Sequence, residues 1–250
     1  MKSVNTDVAY DYIRKRILSG EFPPGHALLT ETLAGEIKVS RTPIRDALRK
    51  LETDGLVTIR AHLGASVKKM NIAEFREMSD LRLALESHAA GLAARNRTDD
   101  DLVEMEYALE AMKTLTKRII ASDKEQPFLS ELMKEDIRFH IAIMEAAKND
   151  LMKREILRLH LLHRVVSGPA GNKIPPVPKT QSDARRKEVL AKHEDIFLAI
   201  KRGDAAAAKR EMEFHLQELI DHNLRLLSRA EAGVLARELS PEELLYSTQR

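Results

Sequence analysis

Apolar residues recur at helical spacing in three separate segments of the first 55 residues. Residues 4–18 carry such a pattern, beginning with Val4 and Val8, and Gly20 ends it. A second short helix is predicted at 31–37, and a third from Val39 to Gly55, in the run VSRTPIRDALRKLETDG. A tight turn separates the last two, so this part of the chain predicts a helix-turn-helix.

The third predicted helix has two chemically different faces. Its apolar stripe, at spacings of four and three, consists of Ile44, Leu48 and Leu51. Its basic stripe, at spacings of four and four, consists of Arg41, Arg45 and Arg49. An apolar back and an arginine front are what a helix needs to pack on a core while it enters the DNA major groove.

Residues at both ends of this helix fit its predicted boundaries. Ser40 is suited to the N-cap and Gly55 to the left-handed conformation that closes a helix. Pro43 lies in the first turn, where a missing N–H is tolerated. Because Pro43 has no N–H, a cap bond from Ser40 is expected to reach the amide of Thr42.

After Gly55 the apolar pattern shortens to two β-type runs. LVTIR and ASVKK flank a turn at HLG, which predicts a hairpin with His62 and Gly64 at its tip. Three helices and a hairpin make a winged helix-turn-helix, whose second helix of the pair presents its N-terminal residues to base edges. The alternative is that the three arginines only form a solvated helix face. It fits this helix considered alone, but not together with the preceding helix, the turn and the hairpin.

The run from Leu29 to Val67 resembles the winged-helix domain of GntR-family bacterial transcription regulators. The elements VSRTPIRDAL and LETDGLV and the wing glycine carry that resemblance. It implies that Arg41, Thr42 and Arg45 read the operator, with Arg49 and the wing in support. Glu31 departs from the pattern, because some members of the family have arginine there. The DNA-binding set assigned on this basis is Ser40, Arg41, Thr42, Arg45, Arg49, His62 and Gly64.

From Asn71 onwards the pattern is helical throughout. Helices are predicted at 72–96, 98–121, 127–148, 150–167, 182–202 and 204–230, with an irregular loop at 168–180. SPEE, at Ser240–Glu243, is a capping box that predicts one more short helix. The predicted fold is mainly α: a winged helix-turn-helix at 1–70, an all-helical antiparallel bundle at 71–230, and a C-terminal tail at 231–250.

Composition and charge narrow the function further. The chain has no cysteine, no apolar run as long as a membrane span and no signal-peptide core, so we expect a cytoplasmic protein without a membrane partner. Residues 1–70 hold 12 Lys/Arg against 8 Asp/Glu, although the net charge of the whole chain is only +2. A basic N-terminal part fits a nucleic-acid module.

Four residues of the helical half form a candidate site for a divalent metal such as zinc, nickel or manganese. Asp136 and His140 are four apart on one helix, and His193 and His215 lie near the apolar edges of two later helices. The alternative for each histidine is a structural role. His160 and His163, three apart, fit a pocket wall better than a metal pair.

Residues 72–228 resemble the helical effector domain, called FCD, of the FadR-type branch of the same family. The resemblance implies metal ligation by Asp136, His140, His193 and His215, and an effector that bears a carboxylate. It also implies effector contacts from Arg82 and Asn149. A salt bridge from Arg82 to Glu86 and a helix cap by Asn149 are the alternatives.

These patterns predict an effector-responsive transcription regulator that binds a pseudo-palindromic operator as a homodimer. Repression is the commoner behaviour in the family that it resembles, so a repressor is expected. The alternative is a metal-dependent hydrolase or isomerase fused to a DNA-binding module. KHEDIF, which contains His193, is not the HExxH motif of zinc proteases, and the sequence shows no well-placed general base. The expected protein is therefore not an enzyme.

Overall fold

A computed structural model of the chain describes residues 2–122, 125, 128–167 and 178–235. Its N-terminal part contains three helices and a small sheet. These elements are α1 (Lys2–Leu18), β1 (Ala27–Leu28), α2 (Thr30–Ile37), α3 (Arg41–Thr53), β2 (Val57–Arg60) and β3 (Gly64–Val67). The predicted winged helix-turn-helix is confirmed.

The sheet has one strand more than the predicted hairpin. Its order is β1-β3-β2, and both pairings are antiparallel. β1 contributes only the pairs Ala27↔Ser66 and Leu28↔Ala65. Two residues are too few to show an alternating pattern, so β1 had no signal in the sequence.

The rest of the described chain is helical, as predicted. Its elements are α4 (Ile72–Asn96), α5 (Asp99–Ala121), α6 (Phe128–Ala146), α7 (Asp150–Ser167), α8 (Lys179–Arg202) and α9 (Ala205–Leu235). α8 begins three residues earlier than predicted, and α9 continues past the boundary expected at 230. The capping box at Ser240–Glu243 lies outside the described residues. None of the helices described here is long and apolar enough to cross a membrane.

Capping residues explain where several helices begin. Asn71 and Thr98 each form a reciprocal capping box, with Glu74 and Asp101 respectively. Ser40 occupies the N-cap of α3 with an extended backbone, but its side chain makes no cap bond, so that expectation was wrong. Pro43 removes the N3 amide, the usual partner in a capping box, which leaves a single candidate donor.

The two largest of four hydrophobic clusters lie in different halves of the described chain, and α7 contacts both halves. The bundle core is built from α4, α5, α6, α8 and α9 around Phe139, Ile196 and Ile200. The core of the winged helix includes Ile13, Ile44 and Leu51, and Val165 of α7 is buried in it. α7 therefore packs the helical domain directly against the DNA-binding domain.

Candidate nucleic-acid interface and metal centre

α3 presents its predicted DNA-reading residues to solvent. The Arg41 and Arg49 side chains are 63% and 75% exposed, and Thr42 and Arg45 are exposed as well. The opposite face of α3 is buried through Ile44, Leu48 and Leu51. Burial of this stripe fixes the helix on its domain and leaves the basic face available for a DNA groove.

Glu31 interacts with the basic face directly. Its carboxylate oxygen Oε1 lies 2.8 Å from Arg41 Nη2, across the turn between α2 and α3. Both side chains are largely exposed, so this ion pair stabilises the protein by at most about 1 kcal/mol. Glu31 therefore partly neutralises the basic face but does not hold Arg41 firmly.

The wing is attached to α3 by a side-chain bond. The Ile59 amide in β2 donates to Glu52 Oε1 at 2.9 Å, near the end of α3. At the exposed wing tip, His62 and Gly64 have φ angles of 62° and 87°. This tight turn places the predicted wing residues on the surface, on the same rigid domain as α3.

Three of the four predicted metal ligands lie together at the centre of the bundle. His140, His193 and His215, from α6, α8 and α9, are 5%, 0% and 5% exposed. One ring nitrogen from each lies within 4.8 Å of those of the other two. Three converging imidazoles from three helices match the donor set of a divalent transition metal.

The fourth residue, Asp136, reaches the same cluster from α6. Its Oδ1 lies 3.1 Å from His193 Nε2. His193 Nδ1 lies 2.8 Å from the Val189 carbonyl oxygen, which can only accept, so Nδ1 carries the proton. Nε2 then faces the carboxylate with either a second proton or a coordinated cation, since a bare lone pair there would be repelled.

Unpartnered nitrogens also show that these residues fit a metal ion. His140 Nδ1 and His193 Nε2 are buried and have no hydrogen-bond partner among the described residues. Buried polar atoms are normally hydrogen-bonded, because an unpartnered one costs roughly 1–3 kcal/mol. A coordinated cation would satisfy His193 Nε2, whereas His140 Nδ1 lies 3.7 Å from Glu86 Oε2.

Burial sets the charge of the cluster. Burial lowers the pKa of His140 to about 4, although the negative charge of Asp136 acts to raise it. Burial also lowers the pKa of His215 well below its usual value, and the neighbouring His193 and His140 act in the same direction. Burial opposes ionisation of Asp136, but contact with His193 keeps its pKa below the ordinary range. Neutral His140 and His215 beside an ionised Asp136 are in the protonation states that metal ligation requires.

Arg82 lies in a buried network beside the histidines. Its Nε donates to Glu86 Oε1 at 2.8 Å, and both side chains are almost fully buried. Glu86 Oε2 lies 3.1 Å from His160 Nε2 and 3.7 Å from His140 Nδ1. The alternative predicted for Arg82, a salt bridge one turn along α4, is therefore present.

Asn149 and His163 have local partners. The Asn149 side chain accepts from the Met152 amide at 3.0 Å and caps α7, which is the alternative given for it above. His163 Nε2 lies 3.2 Å from Asn223 Nδ2 and packs against Phe75. Burial lowers the pKa of His163 to about 3, and the charges of Arg82 and His160 reinforce the effect.

Comparison with known proteins decides the family. Residues 5–67 match the bacterial regulatory proteins of the gntR family, and residues 77–218 match the FCD domain. The chain belongs to the GntR family. It is a DNA-binding transcription regulator with an N-terminal winged helix and an FCD domain.

Individual relatives agree with this assignment. This GntR-family chain is 32% identical over 222 residues to the Uxu operon transcriptional regulator of Escherichia coli (strain K12), with 83% of this chain and 82% of the relative covered. It is 29% identical over 211 residues to the HTH-type transcriptional repressor RspR of the same organism, with coverage of 84% and 85%. The solved structure of E. coli McbR/YncC has the same fold, with a TM-score of 0.65, 20% identity and coverage of 88% and 97%.

The family also settles the choice between a regulator and an enzyme. The matched domains and these relatives are transcription regulators, so the hydrolase or isomerase alternative is set aside. The sequence pattern indicated Glu86 only as a partner of Arg82, whereas in the folded GntR-family chain it lies between Arg82, His140 and His160. The sequence signal for Glu86 was its position, one turn from Arg82 on a helix with a broad apolar face.

Proposed function

We propose that this GntR-family regulator is a metabolite-controlled repressor. It acts in the bacterial cytoplasm as a homodimer on a pseudo-palindromic operator, and a small carboxylate bound near a divalent metal in the FCD domain changes its operator affinity. The observation that carries the proposal is the buried cluster of His140, His193 and His215, with ring nitrogens left unpartnered in the same chain as an exposed recognition helix.

Asp136, His140, His193 and His215 are the residues that would hold the ion, which is zinc, nickel or manganese. The ion supplies positive charge and open coordination positions for a carboxylate oxygen. Glu86 occupies Arg82 in the form described here. A contact from Arg82 to the effector would therefore require part of this ion pair to open, and the Asn149 contact stays a prediction.

DNA reading is assigned to the exposed face of α3 and to the wing. Arg41, Thr42 and Arg45 would meet base edges, while Ser40, Arg49, His62 and Gly64 would support them at the backbone. Two copies of a short recognition helix read two half-sites, which is why a homodimer is proposed. The description of the relative RspR as a repressor favours repression.

α7 offers a physical path between the effector region and the recognition helix. On one side His160 Nε2 lies 3.1 Å from Glu86 Oε2, beside the histidine cluster. On another side Leu162 lies against Gly55, directly after α3, and Val165 enters the core of the winged helix. A ligand that displaces Glu86 or His160 would shift α7 and thereby reorient α3.

Operator binding by the full chain, with and without metal and organic acids, tests the proposal. A gel-shift panel of short duplexes should include at least one that is retarded more strongly than random DNA. An acid should weaken this binding at least fivefold in metal-loaded protein only. The variant Arg45→Ala should lose specific binding far more than binding to random DNA, because base-edge contacts carry discrimination. Binding that never exceeds that of random DNA, or that no acid changes, would refute the proposal.

A further inference from the structure

An open groove of about 840 Å³ runs between α5 and α6 on the outside of the helical bundle. On the α5 side it is lined by Val103, Tyr107, Ala111 and Thr114. Their spacings of four, four and three place them on one face of the helix. Val103 and Tyr107 are 62% and 60% exposed, so this largely apolar strip is not part of the bundle core. Such a strip beside a groove is the kind of surface that another helix covers.

The charges of α5 are segregated along its length. Residues 99–110 include six acidic residues and no basic one, and residues 111–121 include three basic residues and no acidic one. The helix macrodipole favours such charges only in the first and last turns, whereas this segregation extends over the whole helix. At the two ends of α5 the exposed side chains of Asp99, Asp100, Lys117 and Arg118 have no ion-pair partner among the described residues.

The unpaired charges lie in register with the apolar strip. Arg118 follows Asp100 by 18 residues, which is about five turns, so both lie on one face at opposite ends of the strip. A second copy related by a two-fold axis through the middle of α5 runs antiparallel to the first. It brings Asp100 of each helix to the partner's Arg118. In the same register Tyr107 meets the partner's Ala111, so a large side chain faces a small one.

Acidic residues near the middle of α5 already have partners. Glu106 Oε1 lies 3.3 Å from Lys201 Nζ, and Glu110 Oε1 lies 2.8 Å from Lys113 Nζ. Their repulsion across a two-fold axis is therefore reduced. The groove lining as a whole is acidic, which would also suit a basic helix of another protein. A second copy fits better, because it supplies opposite charges to both the acidic and the basic end of α5.

We propose that the groove between α5 and α6 receives α5 of a second copy of this chain, in antiparallel orientation. The four helices then form one bundle across the two-fold axis. This inference rests on the proposed homodimer and names the surface that forms it. Two adjacent helices are about 20 Å wide, and the strip from Asp100 to Arg118 is about 27 Å long. These dimensions give roughly 1,000 Å² for both copies together, the lower limit for a specific interface.

Charge reversal at the two ends of α5 tests the orientation in the full-length protein. Asp100→Arg and Arg118→Asp each place like charges opposite one another twice in a homodimer. Sedimentation equilibrium should show that each homodimer dissociates at least tenfold more readily than that of the wild type. A mixture of the two variants should form heterodimers about as tightly as the wild type forms homodimers, because opposite charges then meet at both ends. Asp80→Arg and Arg210→Asp, at exposed positions on α4 and α9, are the matched controls and should change dissociation no more than twofold.

Tyr107→Glu tests the apolar strip independently of the end charges. A buried aromatic side chain at the centre of an interface is often a hot spot, so the dimer should dissociate at least thirtyfold more readily. Leu151→Glu is the control, since Leu151 is 65% exposed on α7, outside the groove. It should leave dissociation within twofold of the wild type. Thermal melts followed by circular dichroism check that both variants are folded.

Different outcomes overturn different statements. A mixture of Asp100→Arg and Arg118→Asp that dimerises no more tightly than either variant alone overturns the antiparallel pairing. A dimer that Tyr107→Glu and both charge reversals leave unchanged lies on another surface, which overturns the inference while the proposed function stands. A wild type that is monomeric both in solution and on a retarded duplex overturns the inference and the proposed homodimer together, and leaves the groove to a basic helix of another protein.

Discussion

The substitution Gly55→Ala tests the contact between α7 and the recognition helix. Gly55 follows α3 with φ of +81° and donates its amide to Glu52. The Leu56 amide donates to Leu51, which completes a left-handed helix closure. A methyl group at Gly55 would lie 3.0 Å from Leu162 Cδ2 of α7. The variant therefore combines backbone strain with a steric clash between the two domains.

Gly64→Ala is the matched control, because it introduces only the strain. Gly64 has φ of +87°, and an added Cβ would meet nothing within 4 Å. A non-glycine residue in the left-handed region costs roughly 1–2 kcal/mol at either position. Overpacking costs about 1–3 kcal/mol, and the low end applies at Gly55 because a leucine methyl can shift. We therefore expect losses of about 2–3 kcal/mol for Gly55→Ala and about 1–2 kcal/mol for Gly64→Ala.

Urea unfolding followed by circular dichroism measures both losses. A second arm combines Gly55→Ala with Leu162→Ala, which alone should cost about 2–5 kcal/mol because Leu162 is buried. Removing the leucine relieves the clash, so the double variant should be about 1 kcal/mol more stable than additivity predicts. Equal losses at both glycines together with an additive double variant would show that Leu162 does not press on Gly55, and the proposed path through α7 would lose its support.

Further predictions concern DNA affinity, metal and pH. Glu31→Gln should tighten operator binding about two- to fivefold in gel shifts at low salt, because Arg41 loses its competing partner, and the gain should vanish at high salt. His215→Ala should lower divalent metal content in elemental analysis and abolish the effect of chelator on melting temperature; unchanged metal content would remove His215 from the site. Tyr10→Phe should lose up to about 1 kcal/mol near pH 8, since Tyr10 donates to Asp54 at 2.6 Å. Burial and this bond raise the pKa of Tyr10 from 10.0 to about 12, so the advantage of the wild type over the variant in urea unfolding should fall as pH rises from 10 to 12, and a constant difference would contradict this.

Helical periodicity predicted the elements better than their buried faces. α1 lies where the pattern placed it, yet Val4 and Val8 are 61% and 50% exposed. Thr6 and Ala9 are buried instead. A periodic pattern shows that a helix has an apolar side, but the neighbouring elements decide which residues at its edges are covered. The two-residue strand β1 depends wholly on such a neighbour, since it forms only by pairing with β3.

The same limit separates the predictable part of the candidate site from the rest. Asp136 and His140 share one helix, so their spacing alone places them one turn apart. The approach of His193 to Asp136 depends on how α8 packs on α6, and the resemblance to FCD domains, not spacing, implied it. Arg185 illustrates the remaining difficulty. Arg186, next to it in the sequence, is equally basic. In the packed structure Glu125 and Asp183 form ion pairs with Arg186. Arg185 instead lines a small cavity between α5, α6 and α8 and has no ion-pair partner among the described residues. Sequence patterns thus identify candidate charges, whereas the competition among nearby carboxylates decides which charge remains available for a ligand.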